Sequence, residues 1–227
     1  MMDDDTSPGD FVFRKDAGGN LEFAGDFEKL YATEADPWDQ TGGDSDMAAY
    51  YTHSRKRLLA TLSGLAAVSV VEVGCGLGIV TEKIRKLPSV ARAIGMDISP
   101  TAIQKASALY PDCQFLAGDI MTFARPQDWR DVDVVIINQA FWYILESFDQ
   151  ALDNCRSLLG DGGYLINVQA FFRDGAQRYG KETINGFGGL VDRLSQQGAP
   201  GFDFVSAHLA RDDDAHYDDG HVMLKRV

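Results

Sequence analysis

The chain has 227 residues, of which 45% are apolar, enough for one domain with a substantial core. Its formal charge is −13, with 13 acidic and 3 basic side chains in residues 1–46, and no basic patch is legible, which sets nucleic acid aside as a ligand. No apolar run approaches the roughly 20 residues that span a bilayer, the acidic Met1–Asp5 stretch is no secretory signal, and Cys75, Cys113 and Cys155 give neither a disulfide framework nor a zinc knuckle, so a reducing, cytoplasmic setting is expected.

Residues 1–20 are polar, acidic and glycine-containing and predict a loose tail. Asp26–Tyr31 predicts a short helical turn with Phe27, Leu30 and Tyr31 on one side, and a turn follows around Pro37 and Trp38. Residues 40–46 are again polar and acidic. From Ala48 to Ala66 the pattern predicts a helix with Tyr51, Leu58, Leu59 and Leu62 inward, and with Tyr50, Tyr51, His53, Arg55 and Arg57 along its first half. Residues 1–47 are thus an acidic tail and a lid segment. Their aromatic side chains either close over a ligand or bury the edge of the main core.

Val68–Val73 is a β-branched run that enters Gly74, Gly76 and Gly78, after which Ile79, Val80, Ile84 and Leu87 return at helical spacing. That is strand, tight turn and helix, with glycines that leave room for a ligand against the backbone. Val90–Met96 predicts a second strand ending at Asp97, and Ser99 and Pro100 open a helix that runs to about Leu109. Cys113–Leu116 predicts a third strand, followed by Gly118, Asp119 and Ile120. Val132–Ile137 is a fourth, buried on both faces, with Asn138–Tyr143 leaving its carboxyl end. A helix over Phe148–Leu159, a glycine turn at 160–163 and a fifth strand at Tyr164–Val168 follow. Residues 170–189 break the alternation and predict a substrate-facing insertion in a domain that spans 48–227. A helix at Leu190–Gln196 and two antiparallel strands, Phe202–Ala210 and His221–Val227, joined by the acidic loop 211–220, close the chain.

Ligands of open α/β sheets sit at the carboxyl ends of the strands. Those ends carry Gly74–Gly78, Asp97, Asp119 and Asn138–Tyr143. Asp97 is placed to accept both hydroxyls of a ribose or, in the plainer alternative, to cap the helix beside Ser99. Asp119 either accepts from an exocyclic amine or is a surface-turn carboxylate. The glycines match neither a dinucleotide fingerprint nor a triphosphate loop, and Glu72 opposes a phosphate, so a nucleotide-like cofactor with an amine-bearing part is expected. No metal site is expected: Asp131 and Asp133 start the fourth strand, the wrong end, and His208, His216 and His221 read as solvated loop residues.

Glu72–Gly78 resembles the first motif of class I S-adenosylmethionine-dependent methyltransferases. Gly95–Ser99 resembles the second-strand motif, Gly118–Ile120 the adenine-side motif, and Asp133–Tyr143 the fourth. Leu158–Tyr164 is similar to the turn before the fifth strand, with Asp161 where proline is usual, and the terminal strands resemble the family's antiparallel hairpin. Asp26–Tyr31, Asp36–Trp38 and Tyr51–Arg55 resemble, more narrowly, the N-terminal region of nodulation-type enzymes that methylate a chitooligosaccharide amine. Gln139 stands where that group has Glu, and glutamine is no general base.

The resemblance implies an α/β, Rossmann-like, seven-stranded, mostly parallel sheet with a C-terminal antiparallel hairpin, helices on both faces and an N-terminal helical lid. It implies S-adenosylmethionine as cofactor, with Tyr51, Arg55, Glu72, Gly74, Cys75, Gly76, Gly78, Asp97, Ile98, Gly118, Asp119, Ile120 and Gln139 around it. The expected activity is methyl transfer to an amine or hydroxyl of a small polar metabolite, sugar or glycoside, with His53 and Tyr143 as candidate catalytic groups. Trp38, Trp142, Tyr143, Phe171, Arg173 and Tyr179 are the candidate substrate contacts. Two further readings are a catalytically idle binding subunit for a partner protein and a protein methyltransferase. Oligomeric state is not readable.

Overall fold

The computed structural model describes residues 8–15, 19, 21–42, 47–122, 126, 129–173, 175–195 and 199–227. The acidic Met1–Asp5 stretch, residues 43–46 and Gln196 lie outside the described residues. A turn of 3-10 helix, Pro8–Phe11, leads into a small antiparallel hairpin, β1 (Phe13–Lys15) and β2 (Leu21–Phe23), and then α1 (Phe27–Thr33). The main body runs α2 (Ala48–Leu65), β3 (Ser69–Val73), α3 (Ile79–Arg85), β4 (Arg92–Asp97), α4 (Pro100–Leu109), β5 (Gln114–Ala117), β6 (Val132–Asn138), α5 (Phe148–Leu158), β7 (Leu159–Phe172), α6 (Gly186–Ser195), β8 (Phe202–Ala210) and β9 (Tyr217–Arg226).

Seven strands form one sheet in the order β5-β4-β3-β6-β7-β9-β8. The first five in that row are parallel, and β9 pairs antiparallel with both β7 and β8. The last strand therefore slots between two earlier ones. β6 is β-branched at almost every position because both its faces are covered. Val134 and Ile136 pack with Leu58 and Leu62 of α2 and Val80 and Ile84 of α3. Val135 and Ile137 pack on the other face with Leu152, Cys155 and Leu158 of α5. At the amino end of β6, Asp133 Oδ2 accepts from Val68 N (2.9 Å), Ser69 N (2.7 Å) and Ser69 Oγ (2.9 Å), a purely structural use of that carboxylate.

Several expectations change at element boundaries. The described part of the predicted tail is ordered: Phe11 and Val12 are buried against α1 and the first turn of α3, so the apolar spacing outweighs the polar composition. β7 continues through the predicted glycine turn and on to Phe172, because antiparallel pairing with β9 extends to Phe172–Tyr217. Ala170–Phe172 therefore belong to the sheet, and α6 starts at Gly186, which shortens the predicted insertion from both ends. His208 and His221 face each other across β8 and β9 rather than lying in a loop.

The N-terminal segment is fastened to the body by α1. Glu28 accepts from Ser99 Oγ (2.6 Å), Thr101 N (3.1 Å) and Thr101 Oγ1 (2.5 Å) at the start of α4, where an anion is favoured by the helix dipole. Those hydrogen bonds hold its carboxyl below the usual range. Lys105 Nζ donates to the carbonyls of Tyr31 (2.6 Å) and Glu34 (2.8 Å) at the other end of α1. These ties place α1 over the carboxyl ends of β3 and β4.

Candidate functional site

The turn after β3 is built on left-handed glycines: φ is 76° at Gly74, 51° at Gly76 and 76° at Gly78. Bare backbone is also required for space. A Cβ at Gly74 would sit 2.6 Å from Ala140 Cβ, and one at Gly76 would sit 2.5 Å from the Tyr31 hydroxyl. Gly74 N and Cys75 N donate to Met96 O, which locks the turn onto β4. Asp97 then reaches across: its Oδ2 accepts from Gly76 N (2.8 Å) and its Oδ1 from Ser99 N (3.0 Å). Both of its oxygens keep lone pairs for further donors. Burial pushes its carboxyl up, against the pull of those amides.

Glu72 lies at the base of the turn, 1% exposed. It accepts from Thr81 Oγ1 (2.5 Å) and Asn138 Nδ2 (2.7 Å). Burial still dominates and pushes the carboxyl up to about 7. Gln139 holds a left-handed φ of 56°. Its Nε2 donates to the Tyr50 hydroxyl (2.7 Å) and its Oε1 accepts from Ala170 N (3.0 Å). Tyr50 in turn contacts Asp219 Oδ1 at 3.1 Å, and Asp219 Oδ2 accepts from Arg57 (3.1 Å), so the Gln139 turn is tied to α2 and β9.

These groups border a cavity of about 520 Å³, within the range of small-molecule sites. Its inner half, at the strand ends, holds the charged groups Glu72, Asp97 and Asp119 with Gly74–Gly76, Gly118 and Asn138, beside the apolar Val73, Met96, Ile98 and Ile120. Its outer half is aromatic. Tyr143 lies at the centre, with ring centroids 5.0 Å from Phe27, 5.9 Å from Phe23 and 6.1 Å from Phe13 and Trp38. The N-terminal aromatics Phe13, Phe23, Phe27, Tyr31 and Trp38 thus line the cavity, while Phe11, Phe27 and Tyr31 are buried with Leu77, Ile79 and Ala102.

Residues 70–163 match the family described as methyltransferase domain. Those residues carry a methyltransferase domain, and the sheet order and the relatives below support the class I, S-adenosylmethionine-dependent kind. Among curated relatives, trans-aconitate 2-methyltransferase of Klebsiella pneumoniae (strain 342) is 33% identical over 89 residues, 39% of this chain and 34% of that protein. The Escherichia coli (strain 55989 / EAEC) protein of the same name is 28% identical over 143 residues, 57% of this chain and 55% of its own. The chain thus matches about a third to half of the length of these relatives. In solved structures, the fold is similar to the N-methyltransferase NodS from Bradyrhizobium japonicum WM9 in complex with S-adenosyl-L-homocysteine. The TM-score is 0.68 at 21% identity, covering 88% of this chain and 96% of NodS. Magnesium protoporphyrin IX methyltransferase from Synechocystis PCC 6803 with bound S-adenosylmethionine gives 0.63 at 18% identity, covering 88% and 95%. At these identities the likeness is one of fold.

The cavity gathers Tyr51, Glu72, Gly74, Cys75, Gly76, Asp97, Ile98, Gly118, Asp119, Ile120 and Gln139 from the expected cofactor set, and Trp38, Trp142, Tyr143 and Tyr179 from the expected substrate set. Five other residues named from sequence lie off the cavity wall. Gly78 does not border the cavity; its missing side chain makes room for Phe115 and Ala106 in helix–sheet packing. Phe171 is buried against Trp142 and Phe187. Arg173 is spent on Asp218 (2.7 Å) and the carbonyl of Asp212 (2.9 Å) in the β8–β9 region. His53 points away from the cavity, 3.0 Å from Asp214 and 4.0 Å from Asp212, because the β8–β9 loop folds back beside α2. Arg55 is not on the wall either, but it stacks 5.1 Å over the ring of Tyr51, which is.

Sequence reasoning passed over Phe13 and Phe23, both on the cavity wall. Phe11 and Phe13, then Leu21 and Phe23, alternate about a glycine-containing stretch, a hairpin signal hidden by the acidic composition. Thr81 stands in the first turn of the glycine helix, the position from which a hydroxyl can reach back to Glu72.

Proposed function

We propose that the chain binds S-adenosylmethionine in the inner half of the cavity and methylates an amine or hydroxyl of a small molecule in the outer half. The observation that carries this reading is the juxtaposition of the Gly74–Gly76 backbone with Asp97 and Asp119 at the ends of neighbouring strands. It is supported by the trans-aconitate methyltransferase relatives and by the ligands named for the NodS and protoporphyrin methyltransferase structures.

The donor set fits the cofactor. Arg55 Nε and Nη2 are buried without a hydrogen-bond partner, and its remaining nitrogen donates to Gln40 O (3.1 Å). Such a guanidinium calls for a carboxylate, which the amino-acid end of S-adenosylmethionine carries and would have to bring past the ring of Tyr51, the wall residue in front of Arg55. Asp97 would accept from ribose hydroxyls, Asp119 from the adenine side, and Glu72 is the acidic group that suits an ammonium. When bound, the cofactor supplies an electrophilic methyl carbon on a sulfonium.

The chain's own contribution is alignment and exclusion of water. The ring cluster around Tyr143 closes the outer half, and α1, held by Glu28 and Lys105, keeps those rings over the glycine turn. Burial pushes the Tyr143 hydroxyl well above the usual phenol range, so at neutral pH it stays protonated and orients rather than abstracts. No histidine borders the cavity among the described residues. This arrangement suits an acceptor whose lone pair is available without a strong base, an amine above all.

The test is calorimetric titration with S-adenosylhomocysteine of the wild type and of Asp97→Ala. Micromolar affinity, about −8 kcal/mol, is expected for the wild type, weakened at least tenfold in the variant. Absence of binding to both proteins would overturn the proposal.

A further inference from the structure

The outer half of the cavity has a chemistry of its own. Among the described residues the acidic side chains on the wall are Glu72, Asp97 and Asp119, all in the inner half. Among the described residues the only lysine or arginine on the wall is Arg178, in the segment after β7. It is exposed and is followed directly by Tyr179, whose ring centroid lies 4.9 Å from Phe13 and 6.2 Å from Phe23.

Three of the four glutamines on the wall among the described residues are already used within the fold, Gln40 being the fourth. Gln177 Nε2 donates to the carbonyls of Tyr179 (2.9 Å) and Ile184 (2.8 Å), and its Oε1 accepts from Gly186 N (2.8 Å). Gln169 Oε1 accepts from Phe141 N (3.1 Å). Gln139 is clamped between Tyr50 and Ala170 N. These amides hold loops and leave little capacity for a ligand. A hydroxyl-rich sugar would find partners only in Gln40 and a few tyrosine hydroxyls and would set its remaining hydroxyls against rings. A tricarboxylate would face one arginine with two charges left over.

Flat rings meet the opposite situation. Phe23 and Trp38 stack on Tyr143 at interplanar angles of 14° and 28°, and their surfaces reach the cavity. Apolar rings gain by displacing water from such walls.

We propose that the methyl acceptor is a flat, ring-bearing, largely apolar molecule with at most one negative charge, seated among Phe23, Trp38 and Tyr179 with Arg178 meeting that charge. The inference rests on the methyltransferase reading of the same cavity, and it separates the chain's acceptor from both trans-aconitate and a chitooligosaccharide.

The experiment titrates the 227-residue chain, first with S-adenosylhomocysteine and then, saturated with it, with 2-naphthoate, 2-naphthol, trans-aconitate and diacetylchitobiose. The naphthyl ligands are expected to bind at least tenfold tighter than the other two. Arg178→Ala, an exposed position that does not threaten folding, should weaken 2-naphthoate at least threefold and leave 2-naphthol unchanged. Tyr179→Ala should weaken both at least fivefold while S-adenosylhomocysteine still binds. Equal or tighter binding of trans-aconitate or diacetylchitobiose would overturn the inference. So would naphthyl binding that ignores both substitutions. If S-adenosylhomocysteine itself fails to bind, the methyltransferase reading falls. The same ligand comparison without it then decides the chemistry of the outer half.

Discussion

Replacing Glu72 by glutamine isolates the cost of keeping a carboxylate beneath the glycine turn. The side chain is 1% exposed, and its burial raises the carboxyl from 4.5 to about 7 despite the Thr81 and Asn138 hydrogen bonds. In the folded protein the proton is held to about pH 7, whereas the unfolded chain releases it near 4.5. Between those values the folded state binds more protons, so stability falls as pH rises. The stabilising proton is fully present below about 4.5 and lost above about 7. The shift corresponds to about 3 kcal/mol. Glutamine fills the same space, keeps an acceptor for Asn138 and an amide for Thr81, and has no proton to lose. Urea denaturation of the apo-protein should therefore show Glu72→Gln close to wild type at pH 5 and up to about 3 kcal/mol more stable at pH 8. A difference between the two proteins that stays constant from pH 5 to 8 would refute the reasoning.

Two further outcomes follow from the geometry. Gly76→Ala forces a side chain into a left-handed position against the Tyr31 hydroxyl. It should cost about 1–3 kcal/mol of stability and weaken S-adenosylhomocysteine at least tenfold, read by urea denaturation and calorimetry; an unchanged urea midpoint would show that α1 does not press on the turn. His53→Ala removes only a half-exposed ring beside Asp212 and Asp214, so stability should change by less than about 1 kcal/mol and, once an acceptor is in hand, kcat should stay within twofold. A tenfold fall in kcat would return His53 to the catalytic set.

The central βαβ run was legible from residue order alone. β-branched stretches, the Gly74–Gly78 spacing and the Ser99–Pro100 helix start are local signals, and strands covered on both faces carry them most strongly. The strand-end carboxylates Asp97 and Asp119 were legible for the same reason, since a parallel sheet places successive strand ends on one rim. The N-terminal hairpin was not. Its aromatics sit in an acidic, glycine-containing stretch, and only contact with Tyr143 and Tyr179 gives them a core to join.

Side-chain allegiance was the other thing sequence left open. His53, Arg55 and Arg57 fall within five positions on one helix, yet the β8–β9 loop takes His53 and Arg57, while Arg55 turns beneath Tyr51 with two donors unanswered. Arg173 was expected at the substrate and is instead spent on Asp218. Sequence by itself determined which strands of the parallel run form, how they connect and which rim borders the cavity, because those follow from local periodicity and the handedness of strand crossovers. Only the tertiary structure decided which polar groups remain free on that rim, because a hydrogen-bonding side chain is claimed by whatever donor or acceptor the fold brings within 3 Å, however distant in the chain.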